Sequence, residues 1–579
     1  MFSVYFASDR SSSGKSVITM AFSAMLKETG YSLSVYKTGP DFIDPAVLSE
    51  ALDSEVCVKN LDPFLIPEKY LPEWFFTKSG IENGKSIKEA EAAADAAADT
   101  KSPKIPKRAF VVESAMGLYD GNSFYIPKKF KLPVVLIMDC RRISATMASL
   151  IYGLKNYKKG IDVCGVILNN ISSQRHYEII SKEIQNNVQG VKIFGYVDRS
   201  ERIFSIKERH LGLTAFSGAS KAGKKKFAET VSKIKEAVFQ NIDFDFTVKI
   251  LEEKSKNFNK LFERNLAAFN KACGRDDALV ENDAVETNGT AAAGAVKSAT
   301  RTAPAKKTKI AVALDKAFFF YYNFNFEILK SFGAEIIFFS PLKDKSLPKE
   351  TQAVYIGGGY PEIYAAVLAK NLPLRKEIYG FFKNNGIIYA ECGGLMYLCK
   401  SITHKGRRFD ALNILPFGAS MDKGALSLGY RTIRLKEKSF LGAAGLTANG
   451  HEFHYSKLVN ISGPAEADAE NSREAEYSNK AAAKTERNGG SKTESKTENG
   501  EENKAESGDA DYRYNYSYND NYNKCKTILE YESINSPGIF KPEGYNILNA
   551  VGSYIHLSFY SNKLIAENFV KNAKNGYRF

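Results

Sequence analysis

Ile387-Ile388-Tyr389-Ala390-Glu391-Cys392-Gly393-Gly394-Leu395-Met396-Tyr397-Leu398 decides how the rest of the chain is read. A short apolar, β-prone run stops at an acid, a cysteine and two glycines, and an apolar helical start follows. This is the pattern of a tight strand-to-helix turn that lifts one side chain above a sheet edge. The glycines allow the turn and leave N–H groups that can face a developing oxyanion. A lone cysteine in a βα unit is more often a buried, inert thiol. Two other stretches shift that balance. Gly357-Gly358-Gly359-Tyr360-Pro361-Glu362 is a second strand-ending glycine turn, suited to oxyanion donors at Gly358 and Gly359 beside Gly393. Ser553-Tyr554-Ile555-His556-Leu557-Ser558-Phe559 places a histidine in a strand-like run, so His556 is a candidate base for Cys392.

The 579-residue chain is long enough for two to four domains. No uninterrupted apolar run reaches the roughly 18 residues of a membrane helix, and the N-terminus opens on a strand with no secretory signal, so no membrane role and a cytoplasmic location are expected. Seven scattered cysteines without a CxxC pair fit a reducing compartment. The formal charge of +14 comes from dispersed lysines rather than a basic helix or arginine–aromatic array. It favours anionic small molecules over nucleic acid. Alternating β and α patterns fill 1–250 and 308–579 and predict an α/β protein with two doubly wound domains. Residues 251–307 read as a linker, and 84–105 and 463–524 as polar insertions that bury too little to offset ordering entropy.

At the N-terminus, strand Ser3–Ala7 leads into Ser8-Asp9-Arg10-Ser11-Ser12-Ser13-Gly14-Lys15-Ser16 and the helix Val17–Thr29. Strand, small-residue loop, Gly-Lys-Ser and helix make a phosphate cradle: backbone N–H groups around Gly14 face the anion, Lys15 reaches the β/γ-phosphates and Ser16 ligates Mg²⁺. The first glycine of the plain motif would fall at Asp9, so the loop departs from it. Tyr36-Lys37-Thr38-Gly39-Pro40-Asp41-Phe42-Ile43-Asp44-Pro45 ends a strand with two carboxylates. Asp44, before a proline, suits a helix cap, whereas Asp41 suits a metal. Ala109–Glu113 ends a buried strand with an acid placed for Mg²⁺. Asp120 follows in a turn, and Asn169 ends another strand at a position that commonly meets an adenine ring. Phe318–Tyr322 reads first as aromatic packing. His451 and His454, flanking Glu452, read as core or interface histidines rather than a zinc site. His176, His210 and His404 receive no catalytic role.

These segments resemble the cobyrinate a,c-diamide synthase family, in which a P-loop, dethiobiotin-synthetase-like domain is fused to a class I glutamine amidotransferase domain of flavodoxin-like fold. The resemblance is carried by Lys37–Pro45, Met116–Gly121, Glu208-Arg209-His210-Leu211-Gly212, Gly357–Glu362, Glu391–Tyr397 and Gly450-His451-Glu452-Phe453-His454-Tyr455-Ser456. It implies a ligase that uses ATP, Mg²⁺ and glutamine to amidate an anionic tetrapyrrole, and leaves a homodimer open. It implies Cys392 and His556 as the glutaminase pair, and Gly14, Lys15, Ser16, Lys37 and Asn169 for the nucleotide. Asp41, Asp44, Asp120 and Tyr322 would contact substrate, and Ser16, Asp41 and Glu113 would hold the metal. The same chemistry on hydrogenobyrinate or nickel sirohydrochlorin is the nearest alternative; a partitioning-type ATPase or an inactive scaffold is a more distant one. The chain departs from the family pattern at Ser12, where a glycine is usual, at Phe42, where tyrosine is usual, and at Ser558. Many class I domains carry at that last position the glutamate that orients the histidine.

Overall fold

A computed structural model of the chain describes residues 1–52, 56, 58–77, 107–199, 221–272, 307–422, 424–459, 525–533 and 536–577. Two compact units result, one of residues 1–307 with 320–328, the other of 308–319 with 329–579. The expected insertions at 84–105 and 463–524, the linker segment 274–306 and the Glu208–Gly212 motif lie outside the described residues.

The first unit is built on seven strands: β1 (Phe2–Ala7), β2 (Ser32–Thr38), β3 (Lys59–Leu61), β4 (Arg108–Glu113), β5 (Pro133–Asp139), β6 (Asp162–Ile171) and β7 (Lys192–Asp198). Their order is β3-β2-β4-β1-β5-β6-β7, and the pairs are parallel. Every residue of β1 and β5 is buried, as expected of parallel strands covered on both faces. Because the strands run one way, their carboxyl ends gather at one edge. That edge carries the loop after β1, Thr38 of β2, Glu113 of β4 and Asp139 of β5. Helix α1 (Lys15–Glu28) packs Ile18, Phe22 and Leu26 into the core beneath.

Residues 251–272, read from the sequence as the start of a linker, are helical instead: Phe244–Lys254 and Lys256–Ala272. The second helix stacks Phe258 and Phe262 on Phe75, Phe76 and Phe110, with ring centroids 5.1–6.2 Å apart. Burying two such rings stabilises by about 3–6 kcal/mol, enough to fix a segment whose overall composition is polar.

The second unit holds a ten-stranded sheet in the order Ala334–Phe339, Thr308–Ala313, Ala353–Ile356, Ile387–Glu391, Ala550–Ser553, Ser536–Ile547, Cys525–Ser533, Ser427–Leu435, Thr447–His454, Ile555–Leu557. The first five strands pair in parallel and the remainder antiparallel. The antiparallel half comes from residues 427–454 and 525–547, whose strands the alternating β/α pattern did not resolve. It brings His556, from the sheet's last strand, opposite His451 in register.

Candidate functional sites in the two units

In the first unit the phosphate loop ends with Gly14 at φ 94° as the residue before α1, so Lys15 and Ser16 open the helix. Ser12 sits at φ 59°, the left-handed region where a side chain is strained. Lys15 Nζ donates to Ser8 Oγ (2.9 Å) and to the Arg10 carbonyl (3.0 Å), folded back along its own loop. Burial is the main cause that lowers its pKa to about 8, with Lys37 adding to it and Glu113 opposing. Asn169 donates to the Ser13 carbonyl at 2.8 Å and so braces the loop from β6. Asp120 lies over Gly117, where a methyl would come within 2.5 Å of its Oδ2 and 2.6 Å of the Asp9 carbonyl; this glycine lets turn and loop approach.

Four side chains converge beside that loop. The Ser16 hydroxyl is 2.9 Å from Asp44 Oδ2 and 2.7 Å from Glu113 Oε1, sharing one proton between them. Lys37 Nζ bonds Asp44 Oδ2 and Glu113 Oε1, the latter at 2.7 Å. Burial alone would depress the Lys37 pKa, but Asp44 and Glu113 more than reverse this and hold it charged. Burial raises Glu113, whereas in Asp44 the pull of Lys37 overcomes burial and lowers the pKa. The capping bonds expected of Asp44 are made by Asp41 instead. Asp41 is the capping residue, its Oδ1 accepting from the N–H groups of Ile43 (2.9 Å) and Asp44 (3.3 Å), and Lys37 lies 4.0 Å from its other oxygen. Asp44 points into the cluster.

Ser16, Asp44 and Glu113 together offer hydroxyl and carboxylate oxygens, and Glu113 Oε2 is buried without a hydrogen-bond partner. That set suits a hard divalent cation completed by water and phosphate oxygens. Among the described residues, no three His, Cys, Asp or Glu side chains form a metal cage by themselves. Tyr322, expected to touch substrate, is 1% exposed; its ring packs 4.6 Å from Phe42 and 4.9 Å from Phe324.

In the second unit Cys392 occupies φ 51°, ψ −103°, between the strand Ile387–Glu391 and the helix Gly393–Leu398. Such a backbone costs on the order of 1–3 kcal/mol and persists only because its surroundings impose it. The Cys392 N–H donates to the Ser553 carbonyl at 2.7 Å. Gly394 is required by close approach, since a methyl there would meet the Ile356 carbonyl oxygen at 2.1 Å. A methyl on Gly358 would lie 2.4 Å from His556 Cε1, 2.9 Å from its Nε2 and 3.3 Å from Cys392 Cβ. His556, Cys392 and the Gly358 backbone therefore share one small space. The amide nitrogen of Gly359 lies 3.0 Å from the Cβ position of Gly393, so the two glycine turns meet beside the thiol. Burial raises the Cys392 pKa well above its ordinary value, reinforced by Glu362, Glu452 and Glu391.

Several site neighbours carried no role in the sequence reading. Glu452 binds Arg431 Nε (2.7 Å) and His454 Nε2 (2.8 Å), and His454 stacks on Tyr554 at 3.7 Å. Burial would raise Glu452, but His454 and Arg431 draw it down to about 2. His451, buried beside His556, is lowered to about 3, chiefly by burial and then by His556. Glu452, His451 and His454 stand in the 450–456 motif, but their partners Arg431, Tyr554 and His556 come from elsewhere in the chain, so the motif alone assigned them no role. Glu391, which stands in the elbow itself, is taken up below.

A phosphate-cradling parallel-sheet unit and a cysteine-elbow unit in one chain define the class: a nucleotide-binding fold joined to a glutamine amidotransferase fold. The comparisons agree. Residues 4–213 match the CobQ/CobB/MinD/ParA nucleotide binding domain, and 309–497 the CobB/CobQ-like glutamine amidotransferase domain. The cobyrinate a,c-diamide synthase of Picrophilus torridus is 31% identical over 464 residues, covering 79% of this chain and 88% of the relative. That of Clostridium tetani is 33% identical over 465 residues, covering 79% and 88%, and that of Dehalococcoides mccartyi strain CBDB1 32% over 458 residues, covering 77% and 84%. The chain belongs to the cobyrinate a,c-diamide synthase family. Among the described residues no helix is long and apolar enough to cross a membrane.

Proposed function

We propose that the protein uses ATP and glutamine to convert the a and c carboxylates of cobyrinate into amides. The observation that carries the reading is the presence, in one chain of this family, of both the Lys15–Ser16–Lys37–Asp44–Glu113 cluster and the Cys392–His556 elbow. A carboxylate is a poor electrophile, so it must first be activated. The γ-phosphoryl group of ATP passes to a substrate carboxylate oxygen, giving an acyl phosphate and ADP. Lys15 and the loop N–H groups hold the phosphates, and Asn169 keeps the loop in place. Ser16, Asp44 and Glu113 would hold Mg²⁺, which supplies charge neutralisation for the phosphates. Asp120, beside the loop, would contact the substrate. Positioning and electrostatics carry most of such a step.

Cys392 attacks the side-chain carbonyl of glutamine. Its proton passes to His556 and then to the departing ammonia, and water hydrolyses the thioester to glutamate. N–H groups of Gly358, Gly359 and Gly393 would hold the developing oxyanion. Ammonia then displaces phosphate from the acyl phosphate to leave the amide. The relatives' names favour cobyrinate over hydrogenobyrinate or nickel sirohydrochlorin, and the net positive charge suits any of these polyanions. The scattered cysteines, with no CxxC pair, suit a reducing cytoplasm.

The test is incubation of purified protein with ATP, Mg²⁺, glutamine and each macrocycle, with products weighed by mass spectrometry. Cobyrinate should give a monoamide and then a diamide. Cys392→Ala should abolish glutamine use and keep ammonia-dependent amidation. Equal loss with both nitrogen sources, or no amide from any macrocycle, would refute the reading.

A further inference from the structure

We propose that Glu391, the residue immediately before the nucleophile, is the positioning residue of the Cys392–His556 pair and takes the place of the glutamate that Ser558 replaces. The inference rests on the glutaminase reading above. Glu391 and His556 are each 1% exposed, and Glu391 Oε2 lies 3.6 Å from His556 Nδ1. The other edge of the ring, with Cε1 and Nε2, faces Gly358 and the Cys392 side. The imidazole thus has its carboxylate on one edge and the Cys392 Cβ side on the other; the thiol itself points to the Phe453 carbonyl at 3.7 Å and would turn to Nε2 to give up its proton.

The carboxylate is itself held rigidly. Tyr355 OH donates to Oε2 at 2.8 Å, Tyr389 OH to Oε1 at 2.7 Å, and the Leu557 N–H to Oε1 at 3.0 Å. A carboxylate has about four acceptor sites. Three are occupied, and the fourth, on Oε2, is the one nearest Nδ1. The bond from Leu557 matters separately, because it ties the residue after His556 to the residue before Cys392. One side chain therefore sets both the ring and the strand that bears it. A 3.6 Å separation is longer than a hydrogen bond, but contacts of this kind are often loose at rest and tighten as positive charge develops on the imidazole. Glu452, on the neighbouring strand, is already committed to Arg431 and His454.

Glu391→Gln keeps the shape and removes the charge. It should lower glutamine-dependent kcat about 100-fold or more, as for other histidines deprived of their carboxylate. KM for glutamine and ammonia-dependent amidation should stay within about threefold. Tyr355→Phe, which removes one donor and leaves the charge, should cost less than about tenfold. Nitrogen NMR of the wild-type chain gives a readout that needs no variant: His556 should carry its proton on Nδ1, and this signal should be altered in Glu391→Gln. Glu391→Gln with kcat within threefold of wild type, a His556 protonated on Nε2 at rest, or parallel losses with glutamine and ammonia would each overturn the proposal. Failure of the underlying reading is separately visible, as glutaminase activity surviving in Cys392→Ala.

Discussion

Replacing Lys37 by methionine tests how the nucleotide site is held together. Lys37 is 2% exposed and its ammonium joins Asp44 and Glu113, the second of which is fully buried. Methionine keeps most of the stem and removes the charge, leaving two neighbouring carboxylates without their ion-pair partner. Breaking a buried pair in this way costs about 3–5 kcal/mol. For a unit of this size each kcal/mol lowers Tm by about 2–4 °C, so a fall of about 6–20 °C is expected. The pH dependence follows from the sign of the shifts. Without Lys37 both carboxylates are protonated more readily in the folded chain than in the unfolded one, where they titrate near pH 4. The variant's stability is then greatest below about pH 4 and falls as pH rises through the elevated folded values, so its deficit narrows in acid. If Ser16, Asp44 and Glu113 hold Mg²⁺ as proposed, the ion binds only the folded chain, and millimolar Mg²⁺ should restore part of the loss. Urea unfolding at several pH values, with and without Mg²⁺, measures all three effects. A loss below about 1 kcal/mol, or a deficit equal at pH 5 and pH 8, would show that Lys37 does not compensate the two acids.

Because the buried Cys392 thiol is held protonated, its alkylation by iodoacetamide should keep accelerating with pH through the neutral range; a plateau below pH 7 would contradict that environment. Ser12→Gly relieves a left-handed backbone worth about 1–2 kcal/mol but adds unfolded-state entropy of about 0.4–1 kcal/mol, so a net gain of about 0–1.6 kcal/mol is expected in urea unfolding. Exchanging residues 463–524 for a short Gly/Ser linker should leave Tm and amidation nearly unchanged, as their polar composition implies; a large fall in Tm would show that the segment packs.

Both candidate sites are legible in the sequence because each is announced by a local turn. A strand that stops at Cys-Gly-Gly or runs into Gly-Lys-Ser declares its geometry within ten residues. What escaped is decided across the chain. Glu391 was visible beside Cys392, but its partners Tyr355, Leu557 and His556 reach it only through the sheet. The roles of Asp41 and Asp44 turn on which carboxylate faces the helix N–H groups, a matter of side-chain rotamer that two aspartates three residues apart do not reveal. The Arg431–Glu452–His454 network depends on antiparallel register, to which β/α alternation is blind. The helix Lys256–Ala272 was masked by its composition, although its Phe258 and Phe262 lie on one face, four residues apart.

The first unit borrows residues 320–328 from far down the chain. Phe42 stacks on Phe320 with planes 13° apart, and Trp74 meets Phe324 edge-on at 5.8 Å. A ribosome that has finished residue 307 has therefore not yet supplied the rings that cover Phe42 and Trp74. During that interval the nascent unit presents an uncovered aromatic face, a surface that attracts chaperones and promotes aggregation. A fragment ending at 307 would keep that face permanently, so a soluble amino-terminal half should require the chain to at least residue 328, or the 320–328 segment added in trans.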